Sequence, residues 1–424
     1  MSFSSRIPNF HNKSADERRK IIAELLHLSE DDVAILKREE VSEDVLDIMI
    51  ENVIGKLSLP LGIATNFKVN GKDYLVPMAT EESSVVAAAS HAAKIARIKG
   101  GFTAVYSGSF TIGQLQICRV KDIETAKERL MAYKLELLEI ANSTNEILCN
   151  LGGGAKDFEL KTIQGNQDTY LLLHLIVDVK DAMGANAVNT MLEALKLRVE
   201  ELTEGIVLLR IISNHATKRT VKVSAVFSKE SLGGEEIVER ILCAYDLADS
   251  DIYRGTTHNK GIMNGIIAVV QATGNDTRAI EAGAHSFAAK DGSYKSLSKY
   301  EKNAEGDLVG SMEIPLSLGL LGGAINVHPT YKLALKILGV SSSEEFANIV
   351  AAVGLAQNLA ALRALVSEGI QQGHMALHAR NIAVTAGAEG EEIERVANNM
   401  IKSGSITYDS AKKILDSEKV NKGV

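Results

Sequence analysis

The middle of the chain constrains the fold more than any other part, because its hydrophobic periodicity changes there from helical to strand-like and back. GFTAVYSGSFTIGQLQICRV predicts a strand pair, and DIETAKERLMAYKLELLEIANS predicts a helix of about six turns. AKDFELKTI and TYLLLHLIVDV predict two further strands, followed by a helix near 184–202 and a strand near 207–213. This β-α-β-β-α-β order is the ferredoxin-like arrangement, so residues 106–217 are expected to form an inserted domain.

The sequence on both sides of this insertion has mainly helical patterns. Residues 14–38, 41–54 and 81–98 predict helices, with Ser14 as the first N-cap, and 57–78 predicts strands around an Asn-Gly turn. Apolar helical runs return after the insertion, and a small polar helical unit ends the chain. The predicted fold class is α+β, with a large mainly helical domain, an inserted ferredoxin-like domain and a small C-terminal helical flap.

Composition excludes several classes of protein. The 424 residues carry a net charge of −8, from 46 basic and 54 acidic residues, which provides no electrostatic footprint for nucleic acid or an anionic membrane. No apolar run reaches the roughly 20 residues that span a bilayer, and the first residues lack the pattern of a secretion signal. Cys118, Cys149 and Cys243 fit neither a disulfide framework nor a CxxC metal site. A cytoplasmic protein is expected.

Several polar residues could carry chemistry, and each also has an ordinary structural explanation. Lys260, in THNKG, could be a solvated surface lysine, and Asp276, in a Gly-Asn-Asp turn, could cap a helix. Glu82 could simply complement the positive end of the helix predicted to begin near it. His374 and His378 have metal-ligand spacing, but no HExxH motif accompanies them, so no metal site is predicted.

The glycine-rich stretches are similarly ambiguous. LGGGAKD at 151–157 and GLLGGAINVHP at 319–329 offer backbone amides that could approach a phosphate. Neither is a GxGxxG between a strand and a helix, so a Rossmann dinucleotide site is not supported.

Six separated motifs change the interpretation when they are taken together. They are ENVIG (51–55), PMATEESSVVAAAS (77–90), DAMGANAVNT (181–190), THNKGIMNG (257–265), ATGNDTRAIEAGAH (272–285) and GHMALHARN (373–381). In this order they closely resemble the 3-hydroxy-3-methylglutaryl-coenzyme A reductases, and the resemblance extends over almost the entire chain. It fits class II, the soluble bacterial and archaeal class, rather than the membrane-anchored class.

The resemblance implies an oxidoreductase of the mevalonate pathway. Such an enzyme interconverts 3-hydroxy-3-methylglutaryl-coenzyme A with mevalonate and coenzyme A by two successive hydride transfers from NAD(P)H. It implies a large substrate-binding domain (1–107 with 218–373), a non-Rossmann NAD(P)-binding domain (108–217) and a mobile flap (374–424). Family members assemble from dimers whose active sites lie at the subunit interface, so a homodimer or an assembly of dimers is expected.

Four catalytic residues follow from the resemblance. Lys260 would stabilise the developing oxyanion, and Glu82 would protonate the aldehyde-level oxygen, directly or through the lysine. Asp276 would couple the two, because the fold is expected to return it to Lys260 after an apolar helix. His374 would protonate the departing coenzyme A thiolate, whereas His378 is assigned a structural role.

The resemblance also assigns binding residues. The substrate-binding set is Ser84, Arg254, Asn264, Asn214, Glu51, Asn52, Gly55 and Gln357. The cofactor-binding set is Asn145, Asp181, Met183, Gly184, Asn186, Gly322 and Gly323. Within the first set, Arg254 and Ser84 would hold the substrate's carboxylate, and 51–55 with Gln357 would lie on the coenzyme A side. His11 departs from the pattern, because it stands where a relative carries arginine for a coenzyme A phosphate.

The choice of nicotinamide is expected to depend on Asn145. A close NAD-using relative has an aspartate there, which accepts hydrogen bonds from the ribose 2′-hydroxyl and repels a 2′-phosphate. Asn145 removes that repulsion, and Ser143 and Thr144 are expected to add hydroxyl donors, so either NAD(H) or NADP(H) is expected with a modest preference for NADP(H). Alternatively, Asn145 only caps a helix end.

Other functions remain open at the level of the sequence. The same site could work in the oxidative direction and degrade mevalonate. A lysine near carboxylates could instead form a Schiff base in a lyase, or the protein could be a coenzyme A-binding module without turnover. The complete proton-transfer set argues against a simple binder.

Overall fold

The computed structural model of the chain describes residues 3–37, 41–367 and 379–421. Its strands are β1 (Leu61–Val69), β2 (Lys72–Ala79), β3 (Phe102–Tyr106), β4 (Phe110–Cys118), β5 (Gly154–Gln164), β6 (Thr169–Asp178), β7 (Ile206–Ile212), β8 (Thr220–Phe227), β9 (Ser298–Lys302) and β10 (Leu308–Pro315). The helices that lie wholly within the described residues are α1 (Ala15–Leu26), α2 (Glu30–Lys37), α3 (Glu43–Met49), α4 (Val85–Ile98), α5 (Ile123–Ala132), α6 (Lys134–Ser143), α7 (Glu146–Asn150), α8 (Ala185–Thr203), α9 (Lys229–Leu232), α10 (Glu235–Ser250), α11 (Ile252–Ala272), α12 (Thr277–Ala288), α13 (Pro329–Leu338), α14 (Ser343–Val366), α15 (Glu391–Ser403) and α16 (Tyr408–Asn421).

The first sheet has six strands in the order β2-β1-β3-β8-β10-β9. β1 and β3 are parallel, and the other neighbouring strands are antiparallel. β8, β9 and β10 were not predicted, so the expectation of a mainly helical large domain left out half of this sheet. Their burial alternates along the chain, for example in β10, but the surrounding helical patterns obscured that signal.

The second sheet has four antiparallel strands in the order β5-β6-β4-β7. Along the chain its elements follow the expected β-α-β-β-α-β order, with α5 to α7 before β5 and α8 before β7. The predicted pairing of the two strands in 101–120 is wrong, because β3 belongs to the first sheet and β4 to the second. The predicted six-turn helix is also two helices, α5 and α6, which meet at Tyr133.

The N-terminal helices are shorter than predicted. Ser14 is the N-cap of α1 and forms a capping box with Glu17, as its position in the sequence suggested. The helix predicted over 14–38 is interrupted at His27, which has a left-handed backbone, and α3 is only seven residues long. α4 begins at Val85, four residues after the predicted start.

Four hydrophobic clusters stabilise these elements, and the smallest joins Ile22 and Leu75 to Leu333 and Ile337 of α13. The other three are larger. One combines 64–104 with 221–362, the second lies within 115–207, and the third lies within 379–415. α14 is at the centre of the first cluster and contacts α4 and α11. Among the described residues it is the one helix long and apolar enough to cross a membrane, but 67% of its apolar window is buried inside the protein, as expected for a core helix.

Candidate active site

α11 carries the central polar group of the site. Its first turn is capped by Asp251, which accepts a hydrogen bond from the amide of Arg254 at 2.8 Å. Residues such as Ile262 and Ile266 are buried on one face, whereas Lys260 and Asn264, four residues apart, share another. The apolar face therefore fixes the helix in the core and directs the lysine and the amide outward.

Lys260, Asn264 and Glu82 meet at one oxygen. The Lys260 ammonium and the Asn264 side-chain amide both donate to Oε2 of Glu82, each at 3.3 Å. The side chains of Lys260 and Glu82 are 61% and 41% exposed, so the pair faces open space. A cation, a carboxyl group and a carboxamide are thus close enough to act on one substrate oxygen.

Glu82 does not occupy the helical position predicted for it. Its amide donates to the Thr80 hydroxyl at 3.1 Å within a turn, and Ser84, not Thr80, is the N-cap of α4. Ser84 has a left-handed backbone (φ 75°) and makes no side-chain cap hydrogen bond. The structural explanation of Glu82 as a first-turn helix residue is therefore wrong, and the Ser84 hydroxyl is not used in a helix cap.

A cavity of about 420 Å³ lies beside this group. Its lining includes Arg254, Ser84 and Gln357 as well as the three residues that meet at Glu82. Gly265 allows α11 and α14 to approach closely, because a Cβ there would lie 2.9 Å from Cβ of Gln357. The Gln357 side-chain oxygen is buried without a hydrogen-bond partner among the described residues. An unpaired buried acceptor at the cavity wall suits a ligand that donates to it.

Arg254 gives the cavity a site for an anion. Burial lowers the pKa of its guanidinium, and the described residues provide no ion pair to it. Its half-buried position near Ser84 in the same lining therefore suits a carboxylate that would bring its own negative charge.

His258, which lies one turn after Arg254 on α11, was not among the predicted site residues. Its side chain is 2% exposed, and its Nε2 is 2.7 Å from the Ser298 hydroxyl and 3.1 Å from the Asn358 amide. Burial, with Arg254 as the second cause, lowers its pKa to about 4. A buried, neutral histidine is therefore part of the cavity wall. Its four-residue spacing from Arg254 places both side chains on one face of a helix, and this spacing is the feature of the sequence that could have identified it.

Asp276 lies away from this group within the chain, contrary to the expectation that the fold returns it to Lys260. The helix continues for twelve residues from Lys260 to Ala272, a rise of about 18 Å. Asp276 is the N-cap of α12, where it accepts from the amides of Arg278 and Ala279. Asn214 is also outside the cavity, and its backbone oxygen lies against Gly283 of α12.

A second cavity, of about 1980 Å³, adjoins the first, since Ala87 and His91 of α4 line both. Its basic lining includes Arg6, His11, Arg18, Arg19, Lys56 and Lys94. No aspartate or glutamate is among the described residues that line it. Gly55 also lines it, whereas Glu51 and Asn52, from the same ENVIG motif, are exposed. The larger cavity is thus strongly cationic and suits a polyanion.

Two of the predicted cofactor segments meet. The amide of Leu320 donates to the backbone oxygen of Asp181 at 2.9 Å, and Ala182 forms a parallel bridge with Leu321. Gly184 is the N-cap of the 19-residue helix α8, and Asn186 is exposed in its first turn.

The glycine pair beside α8 leaves open space. Gly322 and Gly323 have positive φ angles, and an added Cβ would meet nothing within 4 Å at either. Met183 lies where this loop passes, since a Cβ on Gly319 would be 2.5 Å from its amide nitrogen. The open space at this glycine pair, together with the N-terminus of α8 (the concavity at α8), suits a phosphate-containing cofactor. The Asp181 carboxylate instead accepts the amide of Ser343 at 2.7 Å, so it is engaged in the protein.

Asn145 has a capping role, although at the start of a helix and not at the end. Its side-chain oxygen accepts from the amide of Leu148 at 3.0 Å and caps α7. The Ser143 and Thr144 hydroxyls donate to backbone oxygens of α6. Each hydroxyl has a single proton and uses it here inside the helix, so donation to a phosphate oxygen would require either hydroxyl to exchange this hydrogen bond.

His374 and His378 lie outside the described residues. Within the part of the chain that the structure describes, no group of three His, Cys, Asp or Glu side chains could hold a metal ion.

A pocket that brings an ammonium, a carboxyl group and a carboxamide together beside a cationic cavity suits an enzyme that acts on a carbonyl compound attached to an anionic carrier. A family model described as hydroxymethylglutaryl-coenzyme A reductase matches residues 14–379. The chain belongs to this family and is an oxidoreductase, as the six motifs predicted.

Individual relatives agree with this assignment. The 3-hydroxy-3-methylglutaryl-coenzyme A reductase of Archaeoglobus fulgidus is 55% identical over 415 residues, which cover 98% of this chain and 95% of that protein. A structure of the Streptococcus pneumoniae reductase has a TM-score of 0.83 and 43% identity, and the match covers 97% of this chain and 99% of that one. A second pneumococcal structure, of the class II enzyme bound to NADPH in open conformations, has a TM-score of 0.82 and 44% identity, with coverage of 85% and 99%. The predicted class II membership is confirmed.

Proposed function

We propose that this chain interconverts 3-hydroxy-3-methylglutaryl-coenzyme A with mevalonate and coenzyme A, using two hydride equivalents from a nicotinamide cofactor. The observation that carries the proposal is the convergence of Lys260 and Asn264 on Glu82, at the edge of a cavity that also contains Arg254, to which the described residues provide no ion pair. The mevalonate pathway needs this reaction, and the same site can run it in the oxidative direction, because mass action sets the direction.

Lys260 holds the substrate carbonyl oxygen and stabilises the negative charge that develops on it in both reductions. Glu82, once protonated, supplies the proton that the aldehyde-level oxygen takes up as mevalonate forms, either directly or through the Lys260 ammonium that donates to it. Asn264 keeps the carboxyl group in place through its hydrogen bond to the same oxygen. His374 is proposed to protonate the coenzyme A thiolate when the hemithioacetal collapses.

The smaller cavity is proposed to hold the acyl part of the substrate. Arg254 and the Ser84 hydroxyl, which makes no cap hydrogen bond, bind its terminal carboxylate, because a half-buried guanidinium to which the described residues offer no ion pair gains most from an anion. The orphaned oxygen of Gln357 accepts a substrate donor, such as a hydroxyl or a pantetheine amide. The larger cationic cavity accepts the phosphates of coenzyme A, with His11 and Gly55 in its wall and Glu51 and Asn52 at its margin.

The active site is proposed to be completed by a second copy of the chain. Asp276 and Asn214 do not line the cavity in their own subunit, and about 18 Å of helix separates Lys260 from the end of α11. In a dimer, these side chains would reach the partner's Lys260. Mixing Lys260→Ala with Asp276→Ala protein tests this arrangement. Subunit exchange should restore about a quarter of wild-type activity, since half of the dimers would then have one intact site of two. No recovery after verified exchange would show that each site is built from one chain.

The concavity at α8 is proposed to hold the nicotinamide cofactor. Gly184 and Asn186 at the start of α8, with Met183 and the open Gly322–Gly323 turn, fit its phosphates and ring without a Rossmann fold. When bound, the reduced cofactor supplies the hydrides. Asp181 supports this loop through Ser343, and the four-stranded sheet with its helices forms a ferredoxin-like cofactor domain over 108–217. The large domain, 1–107 with 218–373, binds the substrate, and 374–424 closes over it.

The cofactor can be NADH or NADPH, with a modest preference proposed for NADPH. Asn145 carries no charge to repel a 2′-phosphate, although its capping hydrogen bond limits how far it can turn toward a ligand. A cytoplasmic location is proposed, in keeping with the class II assignment.

Turnover by the purified protein tests the function as a whole. With the thioester and NADPH or NADH, the nicotinamide absorbance should fall, and two equivalents of cofactor should be consumed per mevalonate formed. Lys127→Ala, which removes an exposed ion pair with Glu124 on α5, is the control and should be fully active. Binding of the thioester without any turnover would exclude the proposed reaction.

A further inference from the structure

Arg219 is the largest fully buried polar side chain among the described residues, and it lies between the two sheets in sequence and in space. It immediately precedes β8, and its side chain is 0% exposed. Its backbone oxygen accepts from the amide of Leu316 at 3.0 Å, next to the paired ends of β8 and β10. The six-stranded sheet therefore holds the base of this side chain rigidly.

The guanidinium of Arg219 binds two separate loops at once. Its Nη1 donates to the backbone oxygens of Ala182 at 3.2 Å and Met183 at 3.1 Å, immediately before α8. Its Nη2 donates to the oxygen of Leu318 at 2.5 Å, immediately before the loop that contains the glycine pair. One planar side chain thus ties both proposed cofactor segments to the first sheet.

All hydrogen-bond partners of this cation in the described part of the chain are neutral. The fourth is the hydroxyl of Tyr106, which accepts from Nε at 2.8 Å. Burying an arginine without a carboxylate partner is costly, and three backbone oxygens and one hydroxyl must compensate. These bonds direct the 182–183 carbonyls toward Arg219. None of the described carboxylates bonds to this guanidinium, so its positive charge close to the loop favours an anion nearby.

We infer that Arg219 is a positioning residue for the cofactor: it sets the spacing of the 181–184 and 318–323 segments and thereby shapes the phosphate-binding concavity. This inference rests on the proposed nicotinamide function of that concavity. Lysine cannot replace arginine here, because a single ammonium cannot reach acceptors spread over the three guanidinium nitrogens. The side chain touches neither the catalytic pocket nor the coenzyme A cavity, so its effect should be confined to the cofactor.

The test compares Arg219→Lys and Arg219→Met with wild type by direct titration of NADPH and, separately, of coenzyme A. The dissociation constant for NADPH should rise roughly 10- to 100-fold in both variants, since a loop displacement of about 1 Å can cost that much. The dissociation constant for coenzyme A should change less than about twofold. Hydrogen exchange without any ligand should accelerate in 181–190 and stay unchanged in α11.

Two further variants separate positioning from general destabilisation. Tyr106→Phe leaves the three carbonyl bonds in place and should alter NADPH affinity less than about threefold. The Arg97 side chain is only 21% exposed and forms an ion pair with Asp73. Arg97→Lys should weaken this ion pair and lower the melting temperature without a change in NADPH affinity.

The outcomes distinguish the inference from the function on which it rests. Wild-type protein that fails to bind NADPH would remove the proposed cofactor site itself. Wild-type binding with unchanged NADPH affinity in Arg219→Lys would overturn the positioning role, as would an equal loss in Arg97→Lys. If Arg219→Met does not fold, Arg219→Lys decides alone.

Discussion

Replacing Lys260 with alanine should separate catalysis from stability. Its ammonium lies 3.3 Å from the Glu82 oxygen, where Coulomb's law gives about 1 kcal/mol in water and about 5 kcal/mol at an effective dielectric constant of 20. Both side chains are largely exposed, so the ion pair should add less than about 1 kcal/mol to folding stability. Bound substrate excludes water, and the lysine then acts on a developing charge. Loss of such a donor typically costs 10²–10³-fold in turnover, or about 2.7–4 kcal/mol.

The assay measures turnover with the thioester and with mevaldehyde, along with substrate affinity and the melting temperature. Both reductions should fall at least 100-fold, while substrate affinity changes only a few-fold and the melting temperature shifts by no more than about 2 °C. Lys127→Ala should match wild type in every measurement. Residual turnover above about a tenth of wild type in either reduction would refute the oxyanion role. A loss of activity that paralleled a loss of stability would show that the lysine acts through the fold.

Three further changes test other parts of the site. His374→Gln should abolish reduction of the thioester but spare reduction of mevaldehyde, which has no thiolate to protonate; equal losses in the two assays would contradict the assignment. Asn145→Asp should shift the ratio of catalytic efficiencies toward NADH, and because aspartate caps a helix as well as asparagine, the melting temperature should stay constant. An unchanged ratio of catalytic efficiencies would show that residue 145 does not determine the choice between NADH and NADPH. In the folded state the pKa of His258 is lowered from 6.5 to about 4, so the unfolded chain binds a proton first as the pH falls. The free energy of unfolding should therefore decline by up to about 3 kcal/mol between pH 6.5 and about pH 4. The urea unfolding midpoint of His258→Gln should depend less steeply on pH across this range than the midpoint of the wild type. An unchanged pH dependence would rule out His258 as the titrating group.

Local sequence determined much of this protein. The 3.6-residue and two-residue periodicities located most helices and the strands of the four-stranded sheet, because burial of one face repeats within a few residues. The motifs identified the family and the lysine, acid and amide that meet at Glu82. The Ser14 N-cap could also be predicted from the sequence, because its capping box depends on two residues that are only three positions apart.

Contacts between distant residues were decided only by the tertiary structure. β3 and β4 are neighbours in sequence, yet they joined different sheets, because hydrogen bonds to β8 and to β6 over long separations determine strand partners. Asp276 ended far from Lys260 because an uninterrupted helix keeps its two ends apart. In the sequence, nothing distinguishes Arg219 from other basic residues in loops. In the fold, its guanidinium is enclosed by four neutral acceptors. Its environment depends on segments about 36 and 99 residues away, and no local pattern encodes such a meeting.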